Sequence, residues 1–193
     1  MGFTPSAAVS GALLTALLLT GCTAAVTSDA SSSGTSPSAV EVSSTDEMFV
    51  QMMIPHHEQA VDMAELMLDK TDIDARVTAL AEQILAAQEP EIETMRAWLA
   101  EWGVSEWGST MSGMDHGDGM MSAGDLAALE TATGAEASRL FLEQMIVHHD
   151  GAVLMAQSII DSTQHPEIAA FATQVVADQT AEINTMQELL NDI

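Results

Sequence analysis

Basic residues are almost missing from this 193-residue chain: Lys70, Arg76, Arg96 and Arg139 stand against 29 acids, for a formal net charge of −25. Phosphate backbones require basic partners, so this balance argues against nucleic acid. It also argues against an anionic membrane surface as an electrostatic partner. There is no tyrosine and only one cysteine, Cys22. One thiol closes no internal disulfide, and if a lipid consumes it, a soft metal ligand in this chain has to be methionine. No G-x-S-x-G and no glycine-rich phosphate loop occur, and no enzyme activity is expected. What the chain has in quantity is methionine, fourteen in all, a soft and flexible thioether. The plain reading of the acidic excess is solubility and a solvated face; the functional one is an attraction for cations.

Ala7 to Leu19 is mostly apolar but too short to span a bilayer. It ends in Leu19-Thr20-Gly21-Cys22, which resembles a bacterial lipobox, although Met1 to Ser10 lacks the usual Lys or Arg. The expectation is a lipoprotein signal peptide over 1–21 and lipidation of Cys22. A Ser/Thr/Ala/Gly-rich tether is expected over 22–45. The domain would then sit at the extracytoplasmic face of a bacterial envelope, joined to the membrane by its lipid alone.

Met52-Met53-Ile54-Pro55-His56-His57-Glu58-Gln59-Ala60-Val61-Asp62-Met63-Ala64 is repeated as Gln144-Met145-Ile146-Val147-His148-His149-Asp150-Gly151-Ala152-Val153-Leu154-Met155-Ala156 when Phe49 is set against Phe141. A repeat of this kind is one supersecondary unit that cannot bury its apolar face alone. In the first copy, Phe49, Met53, His56, His57, Ala60, Met63, Ala64 and Met67 share one face at helical spacing. Pro55 and Pro90 lie inside helical patterns and predict bends. After the polar turn Lys70 to Asp74, a second amphipathic helix runs to about Trp102 with Gly103 as its stop. Its Gln88, Glu91, Ile92, Met95 and Leu99 match Gln179, Glu182, Ile183, Met186 and Leu190 near the C-terminus. A short helical piece is expected over Asp125 to Thr133. The predicted fold is all-α: two repeated hairpins forming an up-down four-helix bundle over 46–193. Repeat one covers 46–102, a Met/His-rich linker 103–134, and repeat two 135–190.

Adjacent histidines differ by about 100° around a helix, so each pair occupies both flanks of its stripe. Met53 precedes His57 by one turn, and Met145 precedes His149; Met63 and Met155 follow two turns after His56 and His148. Imidazole with thioether suits copper, Cu(I) in particular. The facing helices bring Gln88, Glu91, Met95, Gln179, Glu182 and Met186 as further ligands or supports. The competing reading makes the methionines core filler and the histidines a hydrogen-bonded layer that sets helix register. The linker adds Met111, Met114, His116, Met120 and Met121 among glycines, with no apolar period to bury them. A di-iron centre would require Glu three residues before His on two helices. Met53, Ile54, Met145 and Ile146 stand there instead.

Met-Ile-x-His-His-x-x-Ala-Val-x-Met-Ala in both repeats, with Gln-x-x-Glu-Ile-x-x-Met opposite, resembles the domain of unknown function 305 family over about Asp46 to Leu190. That resemblance implies a ferritin-like four-helix bundle, secreted or periplasmic and often a lipoprotein, with copper binding and copper resistance among some members. It carries His56, His57, Met63, His148, His149 and Met155 as signature residues, with Gln88, Glu91, Gln179 and Glu182 opposite. The linker lies outside the signature. The function expected is copper buffering, delivery or resistance; the alternatives are a structural or interaction bundle and a metal-dependent oxidoreductase. Expected partners are a metal ion and either a second copy of the chain or a copper-handling envelope protein.

Overall fold

The computed structural model describes residues 41–106 and 119–193. Cys22, Met111, Met114 and His116, the signal peptide and most of the tether lie outside them. The described residues form α1 (Ser44–Leu68), α2 (Ala75–Trp102), α3 (Ala123–Thr131), α4 (Gly134–Ile160) and α5 (Pro166–Asp192), with no strand among them.

Helix α1 begins at Ser44. Its N-cap is Ser43, whose hydroxyl accepts from the Asp46 N–H while the Asp46 carboxylate accepts from the Ser43 N–H. This capping box satisfies two donors that the first turn leaves bare. The helix assignment runs on through Pro55 and, in α2, through Pro90. Proline takes one hydrogen bond from the ladder there, and the packed flanks keep the helix continuous. Asp74 caps α2, and Gly103 ends it at φ 69°, a left-handed position that glycine adopts without steric cost. The short piece α3 also starts with a capping box, Ser122 with Asp125. Lys70 Nζ donates to the Glu130 and Ala132 carbonyls at its C-terminal end, where the helix dipole favours a cation.

α1 packs on α2 and α4 on α5, giving the two hairpins; α1 against α4 joins them, and α3 lies on α4. One apolar cluster holds Ala60, Met63, Ala64 and Met67 of α1 together with Ala137, Phe141, Leu142 and Met145 of α4. The other holds Phe49, Val50, Met53 and Ile54 with Ala152, Ala156 and Ile159. The C-terminal half of α1 therefore meets the N-terminal half of α4, and conversely. The helices run antiparallel and cross where both histidine pairs lie. Each fully buried Met, Leu or Phe adds roughly 1.5–3 kcal/mol of apolar burial, and such residues fill both clusters.

Candidate metal centre

Between the two clusters lies a polar layer to which all four bundle helices contribute. In α2, Gln88 falls between Ile84 of one cluster and Ile92 of the other; in α5, Gln179 falls between Ile183 and Val175. In α1 and α4 the His-His pairs occupy the same level. His56 and His148 are 1% exposed, His57 and His149 0%, Gln88 2% and Gln179 4%. The flank positions expected for the histidines are thus interior ones, because a bundle encloses both flanks of a stripe.

The 100° offset sorts each pair into two roles. His56 and His148 face one another across the α1–α4 contact, with ring centroids 3.8 Å apart and planes inclined by 38°. His57 and His149 turn instead toward the second helix of their own hairpins. His57 Nε2 lies 2.8 Å from Glu91 Oε2, and His149 Nε2 lies 2.7 Å from Glu182 Oε2. A carboxylate accepts, so Nε2–H donates in both pairs, and in the neutral ring that tautomer puts the lone pair on Nδ1. Both Nδ1 atoms are buried without a protein partner, as are the Gln88 amide and Gln179 Oε1. Burial, with the repulsion that a second proton among the neighbouring imidazoles would bring, holds His148 well below the ordinary value of 6.5. For His148 that favours the neutral imidazole, which is the ligand form.

The thioethers flank this layer on both sides. Met63, Met145 and Met186 belong to one cluster, Met53 and Met95 to the other, with Met155 packed against the latter. Under the repeat these are equivalent triads, since Met63 corresponds to Met155, Met145 to Met53 and Met186 to Met95. Among the described residues, no three His, Cys, Asp or Glu side chains form a group able to hold an ion by themselves. A metal here would draw on imidazole and thioether together. Buried, unpaired Nδ1 atoms oriented by carboxylates are the donors such an ion requires, because a carboxylate behind the ring fixes tautomer and direction. The layer fits a soft or borderline ion and offers nothing like an all-oxygen cage.

Of the linker residues, Met120 and Met121 are described and half-buried. Three residues beside them escaped the sequence reading: Gln59, Gly119 and Gly151. Gln59 bonds the Met121 backbone, and Gly119 lies against α4. The signal was available, because 59 and 151 are equivalent repeat positions at which a long polar residue replaces glycine.

A crystal structure of a DUF305 fragment from Deinococcus radiodurans is 35% identical, with a TM-score of 0.71, covering 78% of this chain and 98% of that one. CopM in its Cu(II)-bound form is 37% identical, with a TM-score of 0.66, over 76% of this chain and 96% of that one. CopM has also been solved in Cu(I)- and Ag-bound forms. Uncharacterized protein L153 of Acanthamoeba polyphaga mimivirus is 36% identical over 52 residues, a match spanning 27% of this chain and 34% of that protein. Residues 46–190 match the family model "Domain of unknown function (DUF305)", and the chain belongs to that family.

Proposed function

We propose that this protein binds copper, buffering or handing over Cu(I) through the imidazoles of His56, His57, His148 and His149 and the thioethers on either side of them. The observation that carries this reading is the pair of buried Nδ1 atoms left free by the His57–Glu91 and His149–Glu182 bonds. A layer serving helix register alone would satisfy its polar atoms, since an unpaired buried group costs about 1–3 kcal/mol. The copper-bound forms of CopM lend support from a protein about one-third identical. The protein acts by binding, with no catalytic role assigned to any residue. Lipidation of Cys22 would hold it at the extracytoplasmic face of the envelope, where a copper-handling protein or a second copy could exchange the ion. Intact mass of the protein from its own membrane tests that placement, and an unacylated Cys22 would end it.

Calorimetric titration with Cu(I) and Cu(II) tests the binding. The expected result is a dissociation constant well below about 1 μM, equivalent to about −8 kcal/mol. Weaker binding of both ions overturns the reading. The two His–Glu bonds favour one rival, a hydrogen-bonded structural layer. Under that rival, replacing His57 and His149 lowers the melting temperature equally with and without copper. Under the copper reading, the replacement also abolishes the extra stabilisation that the metal supplies.

A further inference from the structure

The asymmetry at positions 59 and 151 lies beneath the end of the Met-bearing linker. Gln59 Nε2 donates to the Met121 carbonyl at 3.0 Å, and Gln59 Oε1 accepts from the Met121 N–H at 2.6 Å. One side-chain amide thus satisfies both backbone groups of a single residue. Two positions earlier, Gly119 is pressed onto α4. A Cβ added there would lie 2.5 Å from the Val147 carbonyl oxygen, 3.0 Å from Gly151 Cα and 3.1 Å from the His148 carbonyl oxygen. Its φ of +84° is also left-handed. Geometry and conformation both demand glycine at 119. Position 151 carries glycine where the first repeat has Gln59, so α4 presents bare backbone where Gly119 arrives. The Met121 side chain packs against the cluster holding Met63, Met145 and Met186.

We propose that Gln59, Gly119 and Gly151 form a backbone seat that fixes Met120 and Met121 beside the histidine layer as part of one copper-binding unit. This inference rests on the copper reading and adds to it a docked thioether pair and the residues that position it. Gln59 and Gly119 are positioning residues, acting through the backbone that bears the sulfurs. The plain rival is that the seat only anchors the start of α3, whose N-cap is the next residue, Ser122.

The test uses the full chain with Gly119→Ala and Gln59→Ala, each made in the natural sequence and in a Met120→Leu/Met121→Leu background. Cu(I) affinity is read by competition with a chromophoric chelator, sulfur coordination by X-ray absorption, and folding by apo melting temperature. Expected is a loss of about tenfold or more in Cu(I) affinity, the scale of a lost supporting contact. Fewer sulfur neighbours should accompany that loss, and the leucine background should show no further effect. Unchanged affinity overturns the seat's role, and so does an equal loss in both backgrounds, which an anchor for α3 alone would give. If Gly119→Ala melts without cooperativity, Gln59→Ala decides, because it removes atoms and adds none. Absence of Cu(I) binding by the natural sequence would overturn the copper reading and this inference with it. Binding by the natural sequence with indifferent variants would overturn this inference alone.

Discussion

At the level of the histidines the two repeats are nearly superposable in chemistry, while one or two residues away they part. His57 with Glu91 and His149 with Glu182 reproduce one contact to within 0.1 Å. Pro55 against Val147 and Gln59 against Gly151 do not correspond, and Gln59, Val147 and Gly151 lie against the linker's end. Helix starts differ as well. In the first repeat, α1 has a capping box and α2 an Asp74 cap. In the second, α4 and α5 have no side-chain cap bond, and α5 begins with Pro166. Contacts across the layer must satisfy the same interior twice, so they stay alike. Outer contacts answer to a linker that exists once, so they diverge.

That comparison can be broken most sharply at the carboxylates. Glu91→Ala and Glu182→Ala should each cost about 1–3 kcal/mol in chemical denaturation, by stranding a buried imidazole N–H. The two losses should match. A clear inequality would mean that the equivalence of the pairs is only geometric.

Acid should come next. His148 has its folded value depressed below 6.5, so the unfolded chain takes that proton first. Its effect on stability is absent above about pH 6.5, and below it opposes folding by at most about 1.4 kcal/mol per pH unit. The apo melting temperature should therefore drop between pH 7 and pH 5, and His148→Gln should flatten that slope. An unchanged slope would assign the acid sensitivity to other groups.

The caps give the smallest effects and sharpen the contrast between helix starts. Ser43→Ala should cost about 1 kcal/mol, since the hydroxyl accepts from Asp46 N–H and Asp46 is further held by Thr163. Thr133→Ala, at the N-cap of α4 with no side-chain bond to lose, should change stability by less than about 0.5 kcal/mol. Thermal melts of the two variants side by side test this difference. Equal losses would show that α4 depends on a cap after all.

The helices were legible in large part because hydrophobic period and stop residues are local. Gly103 ends α2 as expected, and α3 covers Ala123–Thr131 against an expected piece over Asp125 to Thr133. The capping box at the start of α1, Ser43 with Asp46, was not read from the sequence. The candidate ligands were named from their types and spacing, but their contacts were not legible. Spacing places His56 and His57 about 100° apart on a helix and says nothing of what stands opposite each.

The sequence by itself determined the all-α class, the duplicated hairpins, and the level along each helix at which histidine or glutamine interrupts the apolar stripe. Those are properties of one helix at a time, set by a period of 3.6 residues. Only the tertiary structure decided that the four interruptions coincide in one layer, that His56 meets His148, and that carboxylates leave two Nδ1 atoms free. It alone brought the linker's end onto Gln59 and Gly151. The reason is register: the crossing point of antiparallel α1 and α4 depends on how two whole surfaces fit, and no periodicity within either helix contains that distance.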